Sequence, residues 1–377
     1  MLLTLFGLDL FAGGGGRFIQ WNGLSTRYVL FFFQFFFLFY FASLGVKFSG
    51  YIYKSVIMFL CFVTFFVFIG QLNGLSLSKA FFDIKPLLFF LWLPSLYLLI
   101  RSEESVIKLF KLLYFSAFFI ATLHVLLLFL TYVDLVSFSS IYEFFLYSKE
   151  LVWRGPSFFF YKGVLYTSIA FIMVLSLHKI IHFPFLRLFV MVALISILMT
   201  LTKGLILATL IGATLVLLFN RKYVLTFLIL VVASIAFYYI LLYRQGLPGS
   251  EGSLNVRFKD IYFIVDNTDI FQLFFGHGFG WAVNNRQNIE NSLLWFFSHT
   301  GVVGVIVSIL PYAYVAMKSS IFRQEFRPYR IFLLTSLGFV YLISLTNPFI
   351  NNPLGLGWLL LCMICVNIFS KKSYCNE

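Results

Sequence analysis

The chain has 377 residues; 61% are hydrophobic, only 11% are charged, and 53 are phenylalanine. A mean hydropathy of +0.97 excludes a soluble globular protein, whose core could not absorb this much apolar surface. The net charge of +13 is not a nucleic-acid signature, because anchoring of Lys and Arg to anionic lipid headgroups accounts for most of it.

In chain order, the opening MLLTLFGLDLFAGGGG has no basic leader. It reads as a first span interrupted by glycines 13–16 rather than a cleavable signal. Apolar runs between charged breaks then predict about twelve membrane helices. They fall near 2–20, 26–46, 51–71, 84–100, 107–132, 158–178, 186–202, 204–219, 223–243, 289–316, 331–346 and 353–369. Runs such as LFFFQFFFLFYFASLGV do not alternate, which excludes a β-barrel. The expected fold is an all-α polytopic membrane protein, a single integral membrane domain over 1–377. Its two long loops are 133–157 and 244–288, and the second is the only long hydrophilic stretch.

The basic residues set the orientation. One set of connections carries 15 Lys and Arg with four acids, the other 12 with nine acids. The first set is assigned to the cytoplasm, with both termini, and the long loops to the outside. Cys362 and Cys365 have C-x-x-C spacing inside WLLLCMICVNIF, where cysteines act as packing residues. Cys61 is embedded, Cys375 lies in the polar tail, and no disulfide framework is implied. His124 and His299 fall within spans as hydrogen-bonded interior residues.

The outer basic residues call for a reason, since that side disfavours them. Lys203 interrupts the apolar run ILMTLTKGLILATLIGA, where an ionisable side chain is either functional or snorkels to the interface at a tight turn. Arg154, in LVWRGPSFFFYKG, offers a planar fork suited to a diphosphate, or pairs with Glu150. Val256, Ile261 and Ile264 recur at near-helical spacing, which predicts an amphipathic helix on the membrane. Arg257 on it is a binding candidate or pairs with Asp260, three residues on. The segment Gly276-His277-Gly278-Phe279-Gly280 follows no strand, so it is no dinucleotide motif; its glycines let backbone amides approach a ligand or simply turn the chain. Glu290-Asn291-Ser292 opens a span either as a helix cap or as a carboxylate at the membrane rim. In the second case Glu290 is placed to take a proton from a sugar hydroxyl. Asn347, Asn351 and Asn352 make a polar outer turn able to line a glycan path.

Three stretches resemble the bacterial O-antigen polymerase and ligase superfamily: GPSFFFYKGVLYTSIAF, LTKGLILATLIGA and LFFGHGFGWAVNNRQNIENSLLWFFSHTGVVGVI. In that family a large outer loop ends in a G-x-G segment, followed by a polar pair, an apolar span and a G-x-x-G step, here Gly301 and Gly304. Ligases place His-Asn where this chain has Glu290-Asn291, so the polymerase branch is favoured. The family's basic residue before Gly204 is more often Arg, and here it is Lys203. No clear pair of arginine-and-glycine repeats stands out in the two loops.

The resemblance implies a GT-C-like fold and a metal-independent glycosyltransferase without a cofactor, acting at the outer face of the bacterial inner membrane. Donor and acceptor would be glycans on undecaprenyl diphosphate. Arg154, Lys203 and Arg257 would bind the diphosphate, Glu290 would orient or deprotonate the acceptor hydroxyl, and Arg244, His277, Arg286 and Asn291 would complete the substrate site. It further implies a chain-length regulator and a flippase as partners, and no nucleic acid. A ligase-type glycan transferase and a repeat-unit flippase are the rivals; few mid-span charges and no internal repeat speak against the flippase.

Overall fold

Inside a bilayer the backbone must satisfy its own hydrogen bonds, and an apolar run does so locally by forming a helix. The computed structural model describes residues 2–14, 20–21, 24–146, 151–155, 158–245, 252–284, 286–287 and 289–374. Its elements are α1 (Leu2–Phe11), β1 (Gln20–Trp21), β2 (Leu24–Ser25), α2 (Thr26–Ser43), α3 (Gly50–Leu72), α4 (Leu77–Leu87), α5 (Leu93–Leu99), α6 (Glu103–Tyr132) and α7 (Phe138–Leu146). A hairpin follows, β3 (Leu151–Gly155) with β4 (Phe158–Tyr161), and then α8 (Val164–Leu177), α9 (Leu186–Met199), α10 (Lys203–Phe219) and α11 (Tyr223–Gln245). The last five are α12 (Gly252–Asp266), α13 (Ile270–Phe275), α14 (Ser292–Ser320), α15 (Arg327–Ser344) and α16 (Pro353–Tyr374).

Among the described residues seven segments are long and apolar enough to cross a membrane: α2, α3, α4 with α5, α6, α14, α15 with its leading turn, and α16. α1, α8, α9 and α10 are apolar but shorter. The protein is therefore an all-α polytopic membrane protein, with helices at each of the expected runs. α8 lies at the centre, every residue but Leu175 being buried, as expected of a helix that is apolar all round. α2 stands at the other extreme, with Phe32, Phe33, Phe36 and Phe39 exposed on a surface suited to lipid. α10 packs on α8 and α15, α6 on α8 and α9, and α14 on α15 and α16. His124 bridges three elements, its ring contacting Ser196 Oγ at 2.9 Å and the Phe159 carbonyl at 3.1 Å. Cys362 and Cys365 are buried packing residues.

The structure departs from the expected spans in three places, one being that the span expected over 84–100 begins at Leu77 and is broken between α4 and α5. Residues 158–161 are a β-strand, so the helix expected from 158 starts only at Val164; β4 pairs with β3, and the register shifts between Trp153 and Gly155. An aromatic run is as compatible with a strand as with a helix, and the Gly155-Pro156 break favours the hairpin. The first helix stops at Phe11 instead of reaching residue 20. There the carboxylate of Asp9 accepts from Arg27 Nε at 2.9 Å and Thr26 Oγ1 at 3.1 Å, so the buried Arg27 is neutralised by this acid.

α14 carries its own break. Gly301 has φ 61°, ψ −161° inside the helix, and a Cβ there would stand 2.3 Å from the Phe274 carbonyl group. Gly301 thus admits the backbone of α13 against α14.

Candidate active site

α12 presents two charged residues one turn apart, and each is paired with a residue of the segment leading into α14. Arg257 Nε and Nη2 donate to Glu290 Oε2 at 3.0 and 2.8 Å. Arg286 donates to the buried Asp260 carboxylate, which also accepts from Asn284 at 3.3 Å. Arg257 therefore pairs with Glu290 and not with Asp260, because Asn284, Arg286 and Glu290 lie against α12 and supply the partners of both. The Arg257 and Glu290 side chains retain 27% and 45% of their exposure, which leaves the pair at a rim rather than in the core. Among the described residues Arg257 Nη1 has no hydrogen-bond partner, so part of the fork is left for a ligand oxygen.

Thr346 connects this pair to Lys203. Arg257 Nη2 also donates to the Thr346 carbonyl at 2.9 Å. A Cβ on Gly204 would lie 2.2 Å from Thr346 Oγ1, so the first turn of α10, begun by Lys203, abuts the same residue. Lys203 sits just after a tight turn where Leu201 adopts φ 48°. Ser292 at the start of α14 donates to Asn351 at 2.9 Å, two residues ahead of α16. The first turns of α10 and α14 and the turn before α16 are thus linked to one another and to Arg257 through Thr346 and Asn351.

Asn291 caps α14, accepting from the Leu294 N–H at 3.1 Å. Asn352 likewise accepts from the Leu354 N–H at 2.9 Å at the start of α16. Asn347 donates to Thr346 Oγ1 at 3.1 Å. The asparagine turn is thus held by its own hydrogen bonds beside the pair.

The Gly-rich segment lies apart from it, wedged between α3, α4 and α14. A Cβ on Gly276 would stand 2.4 Å from Thr300 N, and one on Gly278 2.1 Å from Gly70 N. These glycines, with φ +66° and +85°, let backbone meet backbone rather than ligand. His277 is buried and stacks on Trp281 at 3.8 Å, which packs on Phe263 of α12 at 5.8 Å. Burial pushes the His277 pKa down to about 4, with the neighbouring His299 adding to the effect.

Sequence reasoning missed a buried pair beneath this segment. Asp83 of α4 and His299 of α14 approach to 3.3 Å with side chains 1% and 0% exposed. Asp83 also accepts the Gly280 N–H at 2.7 Å, tying α4 to the loop. The placing of His299 in an apolar run signalled an interior hydrogen bond, but nothing local pointed 216 positions back to its partner. Arg154 lies in β3 and Arg244 near the end of α11, and their side chains lie outside the described residues. No group of three or more His, Cys, Asp or Glu among the described residues is arranged as a metal site.

Fold and rim together define a multi-pass helical membrane protein with a cation–carboxylate centre where loop meets bundle. No family model matches the chain. The O-antigen polymerase of Shigella flexneri is 29% identical to it over 363 residues, covering 94% of this chain and 91% of that protein. The chain is thus a relative of an O-antigen polymerase over nearly its whole length, as its motifs led us to expect.

Proposed function

We infer that this chain is itself an O-antigen polymerase, an enzyme that joins lipid-linked oligosaccharide repeat units by glycosyl transfer. The likeness over 94% of the chain carries the reaction class, and the Arg257–Glu290 pair carries the assignment of roles.

In the reaction, an acceptor hydroxyl attacks the anomeric carbon of the donor glycan. The new C–O bond forms as the bond to the diphosphate breaks, and the diphosphate leaves with the electron pair. Glu290, fixed by two hydrogen bonds to one of its oxygens, takes the hydroxyl proton. Arg257 and Lys203 face the leaving diphosphate and stabilise its developing charge. Arg286 holds Asp260 and thereby keeps α12 in register with Glu290. The donor and acceptor are glycans on undecaprenyl diphosphate. An apolar cavity of about 300 Å³ between α3, α14 and α16 begins at Phe296, one turn below Ser292, and suits the carrier's polyprenyl chain.

The Lys and Arg bias supports an outer position for the Glu290 rim with both termini cytoplasmic, and the likeness to an O-antigen polymerase supports the inner membrane. A flippase that delivers units and a regulator of chain length are the partners that the resemblance to the family implies.

The test is deletion of the gene and complementation with wild type, Glu290→Gln or Arg257→Ala. The expected result is surface glycan capped with single repeats in the deletion strain and in both variants, and a ladder with wild type. Loss of surface glycan with lipid-linked polymer accumulating would make the protein a ligase. Units trapped on the cytoplasmic face would make it a flippase.

A further inference from the structure

A second cleft opens at the other end of α15, away from the Arg257–Glu290 rim. It measures about 620 Å³ and runs between α10, α14 and α15, within the size range of ligand sites. One face of α15 lines it along almost its whole length, from Arg327 and Arg330 through Leu334 and Gly338 to Leu342, with Phe219 of α10 opposite. At 1.5 Å per residue, Arg327 to Leu342 spans roughly 23 Å. That is somewhat more than the ~15 Å depth of one leaflet's hydrocarbon, room for an acyl chain and the glycerol above it.

The polar end of the cleft is lined by two arginines, Arg327 and Arg330. Arg327 and Arg330 are both half-buried. Among the described residues neither takes part in an ion pair. Arg327 donates to the Phe219 carbonyl at 3.2 Å, which places it over the C-terminal end of α10. Arg330 has no hydrogen-bond partner among the described residues. Two arginines at the mouth of an apolar cleft at membrane-interface depth attract an anionic headgroup.

We propose that this cleft binds one anionic glycerophospholipid, with its phosphate on Arg327 and Arg330 and an acyl chain along α15 toward Gly338. Gly338 leaves the chain's space empty. A Cβ there would meet only the Tyr312 ring and hydroxyl, at 3.8 Å and beyond, so a larger side chain fills the cleft without displacing backbone. The polyprenyl carrier is assigned to the opposite rim and its own cavity, so this site stands independently of the polymerase reading.

The experiment is native mass spectrometry of the detergent-purified protein, titrated with phosphatidylglycerol and, separately, with phosphatidylethanolamine. Wild type should hold one phosphatidylglycerol in preference to phosphatidylethanolamine. The double variant Arg327→Gln/Arg330→Gln should lose at least about tenfold in phosphatidylglycerol occupancy. Gly338→Leu, which leaves both arginines and the Phe219 contact in place, should reduce it as well and keeps the test decisive if the arginine variant folds poorly. Equal retention of the two lipids by wild type, or undiminished phosphatidylglycerol on Gly338→Leu, would overturn the proposal. So would displacement of the phospholipid by undecaprenyl phosphate with the same dependence on both arginines, which would make the cleft a carrier site.

Discussion

Glu290 and Arg257 are coupled through one oxygen, and their variants should behave as a unit rather than as a sum. Replacing Glu290 by Gln keeps shape and loses the proton acceptor, so polymerisation should fall by about 10²–10⁴-fold at unchanged protein level. Arg257→Lys keeps the charge but not the fork that spans Glu290 Oε2 and the Thr346 carbonyl; it should recover only a small part of the activity lost in Arg257→Ala. Repeat-unit incorporation into polymer, normalised to protein in the membrane fraction, reads both. His277 makes a separate prediction. Its pKa is lowered by burial to about 4, so the fold favours the neutral ring. Its contribution to stability is complete above the ordinary histidine pKa near 6.5 and is lost as pH falls through that value toward 4. Thermal unfolding in detergent should show a stability loss between pH 6.5 and 4 that is smaller in His277→Gln.

At the scale of elements, the described residues between α12 and α14 are held by three devices: the backbone wedge of the Gly-rich segment, the Asp83–His299 pair and the Asp260–Arg286 pair. Gly278→Ala sets a Cβ 2.1 Å from Gly70 N at φ +85°, and should cost about 1–3 kcal/mol by overpacking. Asp83→Ala leaves His299 without its buried partner and removes the acceptor for the Gly280 N–H. It should cost about 1–3 kcal/mol by leaving buried donors unsatisfied, whereas Asp83→Asn, still able to accept that hydrogen bond, should cost less. Melting curves of the purified variants measure these differences. Neither residue touches the Arg257–Glu290 pair, so a variant that still folds should retain polymerisation at permissive temperature.

For the whole molecule, the spans were legible because an apolar run of membrane length has few alternatives to a helix. What was lost follows from the same physics. β4 is as apolar as a helix, so the hairpin was hidden within the expected span at 158–178. Arg257 and Glu290 were each legible as candidates, but their pairing was not: they stand 33 positions apart, and the local reading offered Arg257 the nearer Asp260. The Gly-rich segment was legible as a close approach, yet only the fold shows that the surface approached is the chain's own. Orientation remains a prediction from charge, and single cysteines check it. Lys259→Cys should react with an impermeant thiol reagent in intact cells, and Lys108→Cys only after lysis; the reverse pattern would invert the topology and place Glu290 on the cytoplasmic side.

The most direct measurement is reconstitution of the purified protein in liposomes with a defined lipid-linked repeat unit, following glycan length and released undecaprenyl diphosphate together. Wild type should yield products of two and more repeats, with one carrier diphosphate released per linkage, and Glu290→Gln should yield neither. Repeat units that stay single with active-length wild-type protein, or chains that lengthen equally well with Glu290→Gln, would contradict the account.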